Sequence, residues 1–386
     1  MLSSSKRYVF SWVLMVLFWS FLAGCGAKAI KKESELDTPE NHYRRGLKEL
    51  EKPNLAAATE EFNRARALRP SYPGAYVGLG LVAMEQGSYE EAVRQIKQAK
   101  GRDDQFIDGY IAMGRVLTKQ RKGDDWLEKA LKEYKKALEI NPNSDAAYFY
   151  QGMSYKEAFK FVDAGSAFAR VVAMKRGPFV ERANAEWELV QKIQRAAPGT
   201  DMGKQIALID KIDRADLTVL LLEELKLKEV LEKRRPKTFD AGFKAYEQEV
   251  QAETGKKPPP DVQNHWAKNW IEEMLTLGVQ GLELFPDGSF ASDELITKAN
   301  YAMVIQGVLI LISGDASLAT RYIGEPSHFP DVRSDYYAYN AIVLCNARGI
   351  MKANLQDGSF GPTEYVSGAD ALLIIRDLQN VLRMEF

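Results

Sequence analysis

The sequence predicts an all-α protein made of two successive repeat arrays, and three observations carry that reading. Gly46, Gly80, Gly114 and Gly152 recur at spacings of 34, 34 and 38 residues. Three further columns recur at 34, 38 and 34 residues: Ala58, Ala92, Ala130 and Ala164; Phe62, Ile96, Tyr134 and Phe168; and Ala65, Ala99, Ala137 and Val171. Behind them, the C-terminal half repeats a second pattern at an offset of 70 or 71 residues. Four columns sharing one period of this length specify a solenoid of helix hairpins, whose use is a binding groove rather than a catalytic pocket.

The N-terminus reads as an export signal. Lys6 and Arg7 precede an apolar run from Tyr8 to Ala23, the charge-then-hydrophobe order of a secreted chain. At roughly 16 residues the run is short of the about 20 that a spanning helix needs. Leu22-Ala23-Gly24-Cys25 follows at once and resembles the bacterial lipoprotein signal. That resemblance implies removal of residues 1–24 and a diacylglyceryl group on Cys25. An Asp after the Cys holds such proteins at the inner membrane; Gly26 stands there, which implies the outer membrane with the protein facing the periplasm. Acyl chains on one residue can hold a protein at a bilayer without a spanning segment. Polar residues 25–38 then serve as a tether.

In the first array, small side chains sit where two antiparallel helices would otherwise collide, and the Phe62 column is expected to fill the gap between one pair and the next. Pro70 and Pro142 close two units, because proline cannot continue a helix. The extra residues of unit three, around Lys119–Trp126, belong in the turn between its helices. Unit four lacks the closing Pro, with Arg176 in its place and Pro178 just beyond. Over residues 39–178 this pattern resembles the tetratricopeptide repeat. The segment Phe179–Ala196 reads as a capping helix that completes a domain spanning 39–197.

The second array compares Asp261-Val262 and His265-Trp266-Ala267 with Asp331-Val332 and Tyr336-Tyr337-Ala338. Each leads into a short amphipathic helix. Phe285-Pro286-Asp287-Gly288-Ser289-Phe290 and Leu355-Gln356-Asp357-Gly358-Ser359-Phe360 then give turns on Asp-Gly, followed by apolar helices Thr297–Leu311 and Ser367–Leu382. The arrangement resembles the S-layer homology domain, with two units over 259–386. A partial first unit occupies 198–258, entered at Asp213-Arg214-Ala215-Asp216, with a linker carrying a helix near Phe243–Ala252. The fold class is therefore a tetratricopeptide helix-hairpin solenoid followed by a helical S-layer-homology-like repeat domain.

Each resemblance implies a binding surface. In the solenoid the first helix of each unit lines the groove, which places there Tyr43 and Leu47, then Val77, Leu81 and Met84, then Ile111 and Arg115, then Phe149, Met153 and Lys156. An apolar strip with a few cations suits a peptide or helix of a protein partner. In the second array, wall-polysaccharide binding implies Arg214 as a fork for an acidic sugar, Lys298 at the equivalent place, Asp261, and Trp266 as a stacking face. Ser367-Gly368-Ala369-Asp370 has lost the basic residue. The other reading of these residues is structural, with Asp261 and Asp331 capping the helices that follow and Trp266 in the core.

Composition narrows the functional classes. The 386 residues carry 52 Lys+Arg against 53 Asp+Glu, a balance that argues against general nucleic-acid binding. Arg64, Arg66, Arg69, Lys135 and Lys136 read as solvated outer faces. Only Cys25 and Cys345 occur, so no disulfide framework exists, and Cys345 in its apolar run reads as buried and inert. Three His, none at metal-ligand spacing, and the lack of nucleophile elbow, Walker loop or dinucleotide fingerprint point away from an enzyme, a metal or a cofactor. The expectation is a lipid-anchored envelope scaffold that holds a protein partner and touches cell-wall polysaccharide. The alternative is an accessory lipoprotein for assembling a secretion, pilus or outer-membrane protein complex, its C-terminal domain a protein-docking module.

Overall fold

The computed structural model describes residues 31–234 and 259–385, so the signal segment, Cys25 and the helix expected near Phe243–Ala252 lie outside the described residues. What is described is helical, with isolated bridges Asp213–Leu295 and Thr297–Tyr365 as its only extended pairing. The chain divides into two compact units, 1–184 and 185–386.

The first unit is a stack of four hairpins: α1 (Pro39–Glu51) with α2 (Leu55–Leu68), α3 (Pro73–Glu85) with α4 (Tyr89–Arg102), α5 (Ile107–Gln120) with α6 (Trp126–Ile140), and α7 (Asp145–Glu157) with α8 (Phe161–Ala173). Local chemistry sets their ends. Pro39 and Pro73 open α1 and α3 at a position whose N–H would be unpaired anyway. Thr38, Asn54 and Ser144 side chains accept from the backbone N–H groups of Asn41, Ala57 and Ala147. The alanine columns are fully buried at the hairpin seams.

The bulky column behaves differently from expectation. Each large residue packs against the glycine of its own hairpin: a Cβ added at Gly80, Gly114 or Gly152 would lie 2.7, 2.5 or 2.6 Å from Ile96, Tyr134 or Phe168. Gly46 meets Phe62 in the same way, and Phe62 alone of the four also reaches across to a glycine of the next hairpin, Gly78. The glycines are therefore sockets for a ring or branched chain, not merely helix-crossing points. The insertion in unit three is also spread more widely than its turn. The turn 121–125 is longer than its counterparts, and α5 and α6, at 14 and 15 residues, each exceed α1 and α2 by one. Arg121 and Gly123 take positive φ to make the longer turn.

The helix anticipated at 179–196 forms as α9 (Val180–Ala196). The division between the compact units falls within it, after Asn184, where the sequence suggested a boundary after 197.

The second unit contains α10 (Asp201–Ile206), α11 (Arg214–Glu223), α12 (Leu227–Arg234), α13 (Lys268–Leu277), α14 (Lys298–Ser313), a 3-10 turn at Ala316–Ala319, α15 (Tyr339–Ala347) and α16 (Gly368–Glu385). Three buried residues join its repeats. Ile212 N–H donates to Val366 O (2.9 Å), Val366 N–H to Ile296 O (3.0 Å), and Ile296 N–H to Ile212 O (2.9 Å), closing a ring. Directly after each comes an N-cap, Asp213, Thr297 or Ser367, whose side chain accepts from Asp216, Asn300 or Asp370 N–H. Asp213 and Asp216 form a reciprocal capping box. The Asp213-Arg214-Ala215-Asp216 segment thus occupies the same place as its two later counterparts.

Each apolar helix then rests on the strand-like segment of the next repeat. Arg214 and Ala215 donate to Glu294 O and Ser292 O, Lys298 and Ala299 to Glu364 O and Pro362 O, and Gly368 to Ile209 O. The missing basic residue in the last repeat now has a physical reason. A Cβ at Gly368 would overlap the carbonyl of Ile206. Asp261 and Asp331 do not cap the helices that follow them. Asp261 accepts from Phe290 N–H (3.1 Å) and Ala291 N–H (2.7 Å), and Asp331 likewise from Phe360 (2.9 Å) and Gly361 (2.6 Å). They clamp the far end of the Asp-Gly turn.

Gly368→Ala should destabilise the second unit by about 3 kcal/mol, the upper end for overpacking against atoms that cannot yield, measured by denaturant unfolding followed through Trp fluorescence. Burial and the Asp213 charge raise the Asp216 carboxyl from 3.8 to about 6. The folded state then holds a proton that the unfolded chain has released. This contribution is present in full below about 3.8 and is lost as pH rises through about 6. Asp216→Asn should flatten the fall in stability across that window in pH-resolved melts.

Candidate functional site

In the first unit, the inward residues of the first helices enclose a cavity of about 300 Å³. Tyr43, Leu47, Leu50 and Glu51 come from α1, Val77, Leu81 and Glu85 from α3, and Asp108, Ile111, Ala112 and Arg115 from α5. Ala146 and Tyr150 of α7 and, past the fourth hairpin, Phe179 and Arg182 complete it. Tyr43 Oη donates to Asp108 Oδ2 at 2.8 Å. Burial drives the Tyr43 phenol well above its ordinary range and lifts the Asp108 carboxyl as well. The Arg115 guanidinium lies 4.4 Å over the Tyr150 ring, and Arg182 lies 4.7 Å over Phe149. Phe149, Tyr150 and Phe179 form one aromatic cluster, with centroids 5.0–5.6 Å apart.

The ten residues expected in the groove separate into two groups. Tyr43, Leu47, Val77, Leu81, Ile111 and Arg115 line the cavity. Met84 is buried in the core, and Phe149, at 1% exposure, supports the cavity from behind. Met153 and Lys156 are half-buried and do not line it. Phe149 is thus a packing residue, and a charge placed there would act on stability as well as on the groove. Sequence reasoning missed Glu51, Glu85, Asp108, Phe179 and Arg182. A signal existed for the last two: Asp145 plus one 34-residue period reaches Phe179, which makes the start of α9 the first helix of an unfinished fifth hairpin.

In the second unit the four residues expected to hold a glycan are not equally available. Arg214 is 7% exposed. Its Nε, Nη1 and Nη2 donate to Phe290 O (2.9 Å), Gly281 O (2.9 Å) and Glu283 O (3.0 Å), while its plane lies 4.8–5.0 Å from the Phe290 and Phe285 rings. Every nitrogen is engaged in tying one repeat to the next, so its place is that of a structural fork. Lys298 does the same with one bond fewer, donating to Phe360 O (3.3 Å) and Glu364 Oε2 (2.6 Å). Asp261 is committed to backbone amides, as described above.

Trp266 differs, being 49% exposed. It sits beside His265 and Trp270, at 5.6 and 6.1 Å. His265 Nε2 lies 3.4 Å from Asp293 Oδ1. At the equivalent place one repeat on, Tyr337 is 65% exposed and donates to Asn300 Oδ1 at 2.9 Å, with the Tyr336 ring tilted against it at 4.6 Å. Two exposed aromatic-polar clusters therefore recur around the ring, and the sequence had marked only one of the aromatics as a candidate.

Cys345 is fully buried, its thiol 3.7 Å from Ala302 O and pushed up to about 12 by desolvation. Among the described residues no group of three or more His, Cys, Asp or Glu is placed to hold a metal ion, and no helix is long and apolar enough to cross a membrane.

Residues 73–106 match the family model of the tetratricopeptide repeat, and residues 328–372 that of the S-layer homology domain. Among solved structures the chain is similar to a thermophilic TPR protein of Thermus thermophilus, with 21% identity over 48% of this chain and 91% of that one and a TM-score of 0.35. It is also similar to pilF of Pseudomonas aeruginosa, with 17% identity over 56% of this chain and 97% of that one and a TM-score of 0.32. No curated protein matches the chain. Modules of both matched families are typically non-catalytic: tetratricopeptide repeats serve protein–protein interaction, and the S-layer homology domain associates a protein with the cell envelope. The chain is helical among its described residues and carries a tetratricopeptide repeat at 73–106 and, towards its C-terminus, an S-layer homology domain at 328–372.

Proposed function

We propose that this chain is an outer-membrane lipoprotein that works as a non-catalytic scaffold of the cell envelope. Its repeats hold a protein partner, and its C-terminal domain contacts cell-wall polysaccharide. One observation carries the reading: a single chain joins a largely apolar groove to a module of an envelope-associated family. The anchor rests on Leu22-Ala23-Gly24-Cys25, whose small residues fit the lipoprotein signal. A diacylglyceryl thioether on Cys25 would hold the rest of the chain at the periplasmic face, with residues 25–38 as the tether.

For the polysaccharide, the engagement of Arg214, Lys298 and Asp261 in backbone hydrogen bonds leaves the aromatic clusters as the contact surface. Trp266 and Tyr337 each offer a ring face to a sugar, and the neighbouring His265, Asp293 and Asn300 offer polar atoms for hydroxyl groups. The same engagement favours a second reading. With its basic forks used internally, the domain lacks a free cation matched to an acidic sugar at those positions, and it would then be a protein-docking module in an accessory of secretion, pilus or outer-membrane assembly.

Two measurements test these readings. Labelled palmitate should enter the wild-type product in cells and should be lost from Cys25→Ser; equal labelling of both removes the lipid anchor. The full-length mature protein should co-sediment with purified sacculi, and Trp266→Ala should lower the retained fraction about fivefold, as expected for about 1 kcal/mol of stacking. Absence of retention in the wild type selects the docking-module reading.

A further inference from the structure

Five charged side chains line the groove of the first unit: Asp108 accepts a hydrogen bond from Tyr43 within the wall, and Glu51, Glu85, Arg115 and Arg182 are the other four. Among the described residues none of the four has a partner of opposite charge. Elsewhere on the same unit some charges are paired across its helices, in Arg45–Glu61, Arg69–Glu40, Lys100–Glu133 and Arg121–Glu157. The unpaired acids are also placed at a cost. Glu51 and Glu85 are the last residues of α1 and α3, where the negative end of the helix macrodipole disfavours a carboxylate. The last turn of α3 has no basic residue to offset it. The guanidinium carbons of Arg115 and Arg182 lie 4.4 and 4.7 Å from the Tyr150 and Phe149 ring centroids, a cation–π contact that does not use up the guanidinium's capacity to donate to a carboxylate.

Their order along the stack matters most. Glu51 and Glu85 belong to the first and second hairpins, and the arginines to the third hairpin and to α9; Asp108, also on the third hairpin, is engaged by Tyr43. The groove is therefore polarised from end to end, negative then positive. Between the rims its wall is mainly Leu47, Val77, Leu81, Ile111 and Ala112, with the polar atoms of Tyr43, Asp108 and Tyr150 among them; Tyr43 and Asp108 are hydrogen-bonded to each other. An extended peptide laid on such a wall would leave backbone N–H and C=O groups unpaired, whereas a helix satisfies its own.

We infer that the groove takes an amphipathic helix from a partner protein, in one orientation. Its N-terminal turn carries Lys or Arg against Glu51 and Glu85. Its apolar stripe lies on the wall, and its C-terminal turn carries Asp or Glu against Arg115 and Arg182. First helices packed about 10 Å apart span about 30 Å from α1 to α7, which is about 20 residues of helix. The helix dipole adds to the fit, positive end toward the acids and negative end toward the arginines. That charge order opposes the dipole of the isolated helix, so the segment is weakly helical when free and orders on binding. The inference rests on the groove being a protein-docking surface and adds the partner's charge sequence and polarity.

Three 20-residue peptides with one shared apolar stripe test it, differing only at their ends: Lys N-terminal with Glu C-terminal, the reverse, and Gln at both. Fluorescence anisotropy with the full-length mature protein should show the first binding at least about tenfold more tightly than the reverse, with a preference that shrinks as salt rises. The fourfold exchange Glu51→Lys, Glu85→Lys, Arg115→Glu and Arg182→Glu should invert the order. The milder pair Glu51→Gln with Glu85→Gln should weaken the preference without disturbing the fold, as checked by circular dichroism. Equal binding of all three peptides overturns the polarity while leaving a docking groove. No binding by any of them overturns the groove itself, and the inference with it.

Discussion

The absence of a side chain at a few points sets the geometry of both units. Gly46, Gly80, Gly114 and Gly152 receive the ring or branched chain of the facing helix, so each hairpin closes to a distance that no Cβ would permit. Once that distance is set, the buried alanines of the seam have only one depth at which to pack, and the inner wall of the stack follows from the hairpins behind it. Gly368 does equivalent work in the second unit, where the carbonyl of Ile206 occupies the volume that a Cβ would need. One repeat gives up a side chain at the point where its two counterparts use an Arg and a Lys to reach backbone oxygens.

That contrast explains how the second unit is held. Its repeats meet through main-chain atoms, in the closed cycle of Ile212, Ile296 and Val366, and side chains reinforce the meeting from outside. Arg214 and Lys298 donate to backbone oxygens of the neighbouring repeat, while Asp261 and Asp331 accept from amides at the other side of the same turns. Residues at the sequence positions associated with ligand contact have been drawn into architecture. The aromatics beside them, Trp266 and Tyr337, stay exposed.

Much of this was legible in the sequence because periodic packing leaves a periodic record. The glycine and alanine columns specified the hairpins and their order, and the doubled Asp-Gly turn specified the later repeats. Asp213-Arg214-Ala215-Asp216 alone was enough to mark a third member whose remaining parts had diverged. What stayed hidden depends on distances between residues far apart in the chain. Nothing near Arg214 in sequence announces Phe290, Gly281 and Glu283 as its acceptors, so a fork for a carbonyl triad reads the same as a fork for a sugar acid. Phe149 looked like a groove residue because its column faces inward in the earlier hairpins. Only the arrival of Phe179 and Arg182 over it places it behind the wall.

The hydrogen bonds joining Ile212 to Val366 and to Ile296 impose an order of events on biosynthesis. The residue that opens the cycle and the one that shuts it stand at nearly opposite ends of this unit, so the loop entropy of almost the whole domain must be met before the last bond can form. Hairpins of the first unit can condense one after another as they emerge. The second cannot: until its final helix has emerged, two of the three bonds of the cycle are unmade, and a chain arrested short of Val366 would present the open edges of Ile212 and Ile296 to chaperones and proteases.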